Sequence, residues 1–293
     1  MQIGVVGSIN MDMVLSTERI PLKGETLIGT DLNYNAGGKG ANQAVSIAKL
    51  GGNVKMFGAV GNDANGEKLI SSMKQDGVDT SFIRKIDDEN TGLAVITVGE
   101  HDNTIVVIPG ANNLVDRNYI DSVKNELLCC EIIIMQHEIP QDTNEYVVKI
   151  CKDKDIKLIL NPAPAKNVSD TILSGIDYIT PNEHEVKILF PDLSIEECLK
   201  KYKEQLIVTQ GENGVSISMK DDTILNVPSR KSKVLDTTGA GDTFNGAFAY
   251  ALTQKYPLEK ALKFANITAG ISTEKHGAQN GMPSKYVVLT EMS

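Results

Sequence analysis

The sequence predicts an α/β fold, a central and mostly parallel sheet covered by helices on both faces. Short β-branched runs recur along the chain, and amphipathic stretches of helix length separate them. At 293 residues the chain is also long enough for a large core and near the size at which one main domain acquires a subordinate lobe.

Taken in order, the strand-like runs lie at 3–6, 54–57, 132–134, 157–160, 178–179 and 206–208. Helical periodicity falls between them at 42–50, 65–74, 142–151 and 195–202. Strand patterns return at 215–219, 224–227 and 234–235, and helices are expected over 242–252 and 258–273. Pro257 suits the opening of the last helix, while Gly277, Gly281 and Pro283 predict a tail of turns. Sheets of this type hold their ligands at the carboxyl ends of the strands.

Two stretches break the rhythm. Residues 12–35 carry little helical periodicity, and 92–98 with 104–108 read as a hairpin across Glu100-His101-Asp102-Asn103. Together they predict a small inserted sheet, approximately 12–35 and 92–109. Its apolar faces need a partner, which makes it a substrate lid or a surface for a second subunit. The plainer alternative is a pair of ordinary antiparallel edge strands.

Lys and Arg total 29 against 38 Asp and Glu, a net charge of −9, so nothing draws nucleic acid or anionic lipid to the chain as a whole. No run has the apolar length of a membrane span, and a strand-like start in place of a basic leader predicts a cytoplasmic enzyme. Cys129, Cys130, Cys151 and Cys198 have neither metal-ligand nor disulfide-framework spacing and are expected as buried or semi-buried thiols.

The chemistry concentrates in two glycine segments. In Asp236-Thr237-Thr238-Gly239-Ala240-Gly241-Asp242-Thr243-Phe244-Asn245-Gly246 a carboxylate follows small residues at the start of an apolar helical run. Free N–H groups and the positive end of the helix dipole suit an incoming phosphate there, and Asp242 at the same mouth suits a general base. Taken alone, the pattern also fits a glycine turn whose aspartate merely complements the dipole. The second segment, Asn35-Ala36-Gly37-Gly38-Lys39-Gly40-Ala41-Asn42-Gln43-Ala44, permits close backbone approach to a polar ligand. It lacks the Walker arrangement, so Lys39 is not assigned to nucleotide phosphates.

Asn10 and Asp12, two apart in extended chain, can point the same way and suit vicinal hydroxyls, although in isolation turn formation explains them better. Asn182 and Glu185 can share a helical face near a magnesium–phosphate assembly, or simply cap a helix. Thr209 and Gly211 stand where a strand gives way to a permissive turn able to hold phosphates.

The two glycine segments, together with Gly7-Ser8-Ile9-Asn10-Met11-Asp12, Asn161-Pro162-Ala163-Pro164-Ala165 and Thr180-Pro181-Asn182-Glu183, resemble the ribokinase-like (PfkB) family of carbohydrate and nucleoside kinases over essentially the whole chain. The resemblance implies a three-layer α/β/α fold spanning 1–293 with a small β-sheet lid. It implies that Asp242 is the base, with the amides of Gly239, Ala240 and Gly241 as an anion hole. Sugar contacts would come from Asn10, Asp12, Gly38, Lys39, Asn42, Glu138 and Asp242. The nucleotide side would comprise Asn182, Thr209, Gly211, Gly241 and Asn266, with Glu185 organising Mg2+ through water.

A monovalent cation, K+, would sit against Asp236, Thr238, Thr273, His276 and Gly277, with Gly281 standing where relatives can offer a serine. The implied reaction is transfer of the γ-phosphoryl of ATP to the 5-hydroxyl of D-ribose, by a homodimer paired through its lid sheets. A kinase for deoxyribose, fructose or a nucleoside is the alternative within the family. A sugar-binding protein without catalysis is the alternative outside it.

Overall fold

The computed structural model describes residues 1–100 and 102–292; His101, within the expected hairpin turn, lies outside the described residues. In chain order, β1 (Gln2–Val6) leads into β2 (Asn10–Ser16) and β3 (Asp31–Gly37), then α1 (Lys39–Lys49), β4 (Asn53–Gly61), α2 (Ala64–Gln75) and β5 (Ile83–Ile86). The hairpin β6 (Gly92–Gly99) and β7 (Asp102–Ile108) follows, with α3 (Arg117–Leu127), β8 (Ile132–Gln136), α4 (Gln141–Cys151) and β9 (Lys157–Asn161). Next come α5 (Asp170–Leu173), β10 (Tyr178–Ile179), α6 (Glu183–Leu189), α7 (Ile195–Lys201), β11 (Ile207–Thr209), β12 (Val215–Ser218) and β13 (Ile224–Val227). The chain closes with α8 (Ala240–Thr253), α9 (Leu258–Ser272) and α10 (Lys285–Met292).

The main sheet runs β10-β9-β8-β1-β4-β5, and each of its neighbouring pairs is parallel. Parallel bridges from Ile179 to Leu206 and from Asn182 to Thr209 extend it into the antiparallel set β11-β12-β13. Residues alternate between its two faces, as the pleat requires. Ile3, Val5, Ile132 and Ile134 belong to the core under α1, α8 and α9, whereas Val6, Ile133 and Met135 belong to the core that includes residues of α3 and α4. Two apolar cores on either side of one sheet make the three layers.

Residues on the early strands also build a second sheet, β3-β2-β6-β7, in which β2 pairs antiparallel with β3 and parallel with β6. Every residue of β7 is exposed, including Ile105, Val106, Val107 and Ile108.

Several local expectations need correction. Residues 234–235 form no strand: the N–H groups of Leu235 and Asp236 both donate to the Thr273 carbonyl at the end of α9, and both apolar side chains face solvent. The tail of turns contains a helix, α10, whose apolar residues Tyr286, Val287, Val288 and Leu289 run consecutively and show no helical period; only Val288 is buried. Helix α3 carries Tyr119, Ile120, Val123 and Leu127 at helical spacing and was overlooked; its start is set by Asp116, whose side chain accepts the Tyr119 N–H. Cys129 is exposed, unlike the other three cysteines. Among the described residues no helix is long and apolar enough to cross a membrane.

Candidate active site

Asp242 is the third residue of α8, buried at the carboxyl end of the main sheet, with amide donors on both carboxylate oxygens. The Asn42 Nδ2 donates to Oδ2 at 2.9 Å and the Gln43 Nε2 to Oδ1 at 3.0 Å. Both donors come from the first turn of α1, entered through Gly38. Gly38 has φ of 88°, and a Cβ there would stand 2.6 Å from the Asn10 nitrogen, so only glycine lets α1 begin against β2.

Further amides orient these two. Gln136 Nε2 donates to Gln43 Oε1 at 2.7 Å, and Gln279 Nε2 donates to Asn42 Oδ1 at 2.9 Å. Burial pushes the pKa of Asp242 up, and Lys39, Asn42 and Gln43 partly offset that rise.

The turn before α8 is ready for an anion. Gly239 has φ of 76° and packs so closely on Ala278 that a Cβ would lie 2.7 Å from the alanine's own. Among the described residues the N–H groups of Gly239 and Gly241 have no hydrogen-bond partner, and a Cβ on Gly241 would meet open space. The Ala240 N–H is engaged, donating to the Thr237 carbonyl at 3.2 Å. Two of the three expected anion-hole amides are therefore available, and the third requires that turn to open.

The expected sugar-contact residues surround the same point. Burial would lower the pKa of Lys39, but the charges of Asp242, Glu138, Glu185 and Asp12 raise it, so one ammonium sits among four carboxylates. Asp12 is pushed up to about 7 by burial first, then by Glu138 and Asp242. Glu138 Oε2 accepts from the Ser8 hydroxyl at 2.5 Å and from the Lys39 N–H at 3.1 Å. Asn10 Oδ1 accepts from Asn112 Nδ2 at 2.7 Å. A cavity of about 280 Å³ opens beside Asn10, Asn112, His137 and Glu138 and is roofed by Val107 of β7. His137 is buried with no hydrogen bond on its ring, and burial lowers its pKa to about 4.

The nucleotide-side candidates are placed less uniformly. Asn182 and Glu185 form a capping box on α6: Asn182 Oδ1 accepts the Glu185 N–H and Glu185 Oε2 accepts the Asn182 N–H, each at 2.8 Å. The capping alternative is thus realised, yet Glu185 still faces the site, since Lys39 and Asp242 both act on its charge while burial raises its pKa. Thr209 closes β11, where its N–H donates to the Pro181 carbonyl. Gly211 has φ of 53° and space around it. Asn266 is buried and donates to the Val227 and Pro228 carbonyls at 3.1 and 2.9 Å, a strap from α9 onto β13.

The cation candidates meet around Asp236. Its oxygens accept the Thr238 and Gly277 N–H groups, each at 2.8 Å; burial would raise its pKa, but these amides lower it. The Thr273 carbonyl already accepts two N–H groups, and the His276 carbonyl accepts from Asn280 Nδ2. At Gly281 a Cβ would overlap the Ser272 carbonyl oxygen, so a serine cannot occupy this backbone position as it stands. Among the described residues no group of three or more His, Cys, Asp or Glu side chains could hold a metal ion.

Sequence reasoning missed Gln43, Gln136, Gln279, Ser8 and Asn112. Gln43 lay inside the glycine segment, and Gln136 is the polar residue closing an apolar strand, where ligand-side groups collect. Gln279 had no local signal.

Residues 2–285 match the pattern of the pfkB family carbohydrate kinases. The chain is 46% identical over 292 residues to the ribokinase of Lactococcus lactis, covering 99% of this chain and 97% of that one. Its fold superposes on the crystal structure of a Thermotoga maritima ribokinase with a TM-score of 0.91 at 35% identity, over 99% and 98% of the two chains. It also superposes on an Arabidopsis thaliana ribokinase complexed with ribose and ATP, with a TM-score of 0.89 at 30% identity over 98% and 97%. Through the Gly239 to Asp242 turn, the match over 2–285 and these likenesses, the chain belongs to the pfkB family of carbohydrate kinases.

Proposed function

We propose that this chain transfers the γ-phosphoryl group of ATP to the 5-hydroxyl of D-ribose, giving D-ribose 5-phosphate and ADP. The observation that carries the chemistry is the buried Asp242 carboxylate, held by two amides immediately beside the unpartnered N–H groups of Gly239 and Gly241. The sugar assignment rests on the likeness to ribokinases, one of them with ribose and ATP bound.

In this reading Asn10, Asp12, Gly38, Lys39, Asn42 and Glu138 hold the sugar so that its hydroxyl meets Asp242. As the new O–P bond forms and the bond to the ADP oxygen breaks, the hydroxyl proton passes to Asp242. The amides of Gly239 and Gly241, and of Ala240 once released from Thr237, take the charge on the transferring group. Burial raises the proton affinity of Asp242, which suits a group that takes the hydroxyl proton as transfer proceeds.

Asn182, Thr209, Gly211 and Gly241 line the nucleotide side, and Asn266 supports it through its strap on β13. When bound with the triphosphate, magnesium would supply charge neutralisation at the phosphates. Glu185 would hold it through water: Oε2 is tied to the Asn182 N–H, and the charges of Lys39 and Asp242 act on the carboxylate.

The K+ set fits incompletely. Asp236 supplies an ionised carboxylate beside Thr238, His276 and Gly277, but the Thr273 carbonyl is already used twice and Gly281 offers no hydroxyl. No step is routed through that ion. We also assign β2, β3, β6 and β7 the role of a lid that excludes water, working in the cytoplasm as half of a homodimer whose lid sheets cover each other's exposed Val106 and Ile108.

ADP formation by the purified protein with magnesium, measured across ribose, deoxyribose, fructose and adenosine and with sodium replacing potassium, tests the reading. The highest kcat/KM is expected with ribose. A higher value with another acceptor reassigns the substrate. Ribose binding without ribose 5-phosphate would leave a binding protein.

A further inference from the structure

The segment from Gly277 to Gln279 touches the signature at both of its ends. The Gly277 N–H donates to Asp236 Oδ2 at 2.8 Å, where the signature begins. Two residues on, the buried Gln279 side chain donates to Asn42 Oδ1 at 2.9 Å, and Asn42 in turn donates to Asp242 at 2.9 Å. Lys49 pins the segment from outside by donating to the Gln279 carbonyl at 2.6 Å.

The direction of the hydrogen bonds matters. A primary amide presents its oxygen on one side and its NH2 on the other. Asn42 offers Asp242 a donor only while its oxygen points away, and the Gln279 amide is the group that holds that oxygen. With Asn42 flipped, oxygen would face carboxylate. The other arm, Gln136 to Gln43, does the same for Oδ1, but it is rooted in β8, whose residues are all buried. The Gln279 arm is rooted in a segment with a cavity of about 360 Å³ on one side, lined by Gly277 to Asn280, Lys49, Lys68 and Tyr34. One arm is enclosed in the sheet, and the other stands on a segment that borders open space.

We propose that Gln279 is a positioning residue for phosphoryl transfer: acting through Asn42, it fixes the amide orientation that aims and stabilises the Asp242 carboxylate, and so ties the 277–279 segment to the base. The proposal rests on the reading of Asp242 as the base.

A double-mutant cycle on kcat/KM tests it. Gln279→Leu is expected to lower kcat/KM about tenfold, the loss of roughly one hydrogen bond's influence. In an Asn42→Ala background the same change should cost little further, because the residue it acts through is gone. Gln279→Glu, of the same size but presenting an acceptor to Asn42, should be worse than the leucine, and it carries the test if the leucine variant fails to fold.

The acid limb of the pH profile should move to higher pH in Gln279→Leu, since a donor to the carboxylate is no longer held in place. The charged groups around Asp242, namely Lys39, Glu138, Asp12 and Glu185, are unchanged by the substitution. Losses that simply add in the double variant, with an unmoved acid limb, overturn the proposal. If Asp242→Asn itself retains full turnover, the reading of the base has failed instead.

Discussion

The surroundings of Asp242 and the outer strand of the second sheet, β7, are built on opposite terms. Around Asp242 the chain supplies both carboxylate partners and the partners of those partners, all within the buried body. By contrast, β7 leaves Ile105, Val106, Val107 and Ile108 between 45% and 63% exposed. The end proposed to react is complete within one chain, whereas the sheet proposed to cover it leaves apolar side chains exposed. Preorganised donors act on a transition state only if they do not rearrange when charge develops. A lid must move to admit substrate, so its apolar contacts have to be the replaceable ones.

The largest break in this comparison comes from Asp242→Asn. Turnover is expected to fall roughly 10²-fold or more, because base and positioning functions are both lost. The melting temperature at pH 7 should shift by no more than a few degrees, because an amide there avoids the desolvation that raises the carboxylate's pKa but sets its NH2 against one of the two donors, Asn42 or Gln43. Equal turnover in variant and parent would remove Asp242 from the mechanism.

On the other side, Val106→Asp puts a charge on the face of β7 turned away from the cavity and is expected to weaken self-association at least tenfold while leaving the melting temperature of the isolated chain unchanged. Sedimentation velocity over a concentration series reads this directly. A dimer of undiminished strength would move the interface elsewhere.

The finest test uses Asp12, which lies on β2 yet faces the charges of the body. Its folded pKa, about 7, stands above the ordinary value, so between about 4 and about 7 the folded chain binds more protons than the unfolded one. Stability of the ligand-free protein from this group is present below that window and is lost as pH rises through it. Asp12→Asn should therefore raise the melting temperature at pH 8 by a few degrees relative to the parent and leave it nearly unchanged at pH 4. Ribose affinity, measured by calorimetry, should fall in the same variant. Equal pH dependence in both proteins would show that Asp12 does not titrate in this range.

Much of this was legible from local pattern. The runs at 54–57, 132–134 and 157–160 sit inside β4, β8 and β9, because β-branched stretches between helical periods have few other ways to be buried. Gly38 and Gly239 announced turns at both glycine segments, and Asp242 stood out because it follows one of them at a helix start. Helix α10 escaped because its apolar residues run consecutively without a helical period, α3 was overlooked although Tyr119, Ile120, Val123 and Leu127 keep one, and 234–235 misled because two β-branched or apolar neighbours look like a strand whether or not a partner strand exists.

The sequence by itself determined the strand–helix alternation, the two turns that only glycine permits, and which carboxylate stands at the mouth of a helix. These depend on neighbours within a few residues, through backbone sterics and apolar period. Only the tertiary structure decided what holds that carboxylate. Asn42, Gln43 and Gln279 are joined to it or to one another across sequence separations of 200, 199 and 237 residues. Hydrogen bonds across such separations follow from the order of strands in the sheet and the docking of α1 against α8, and no local propensity encodes them.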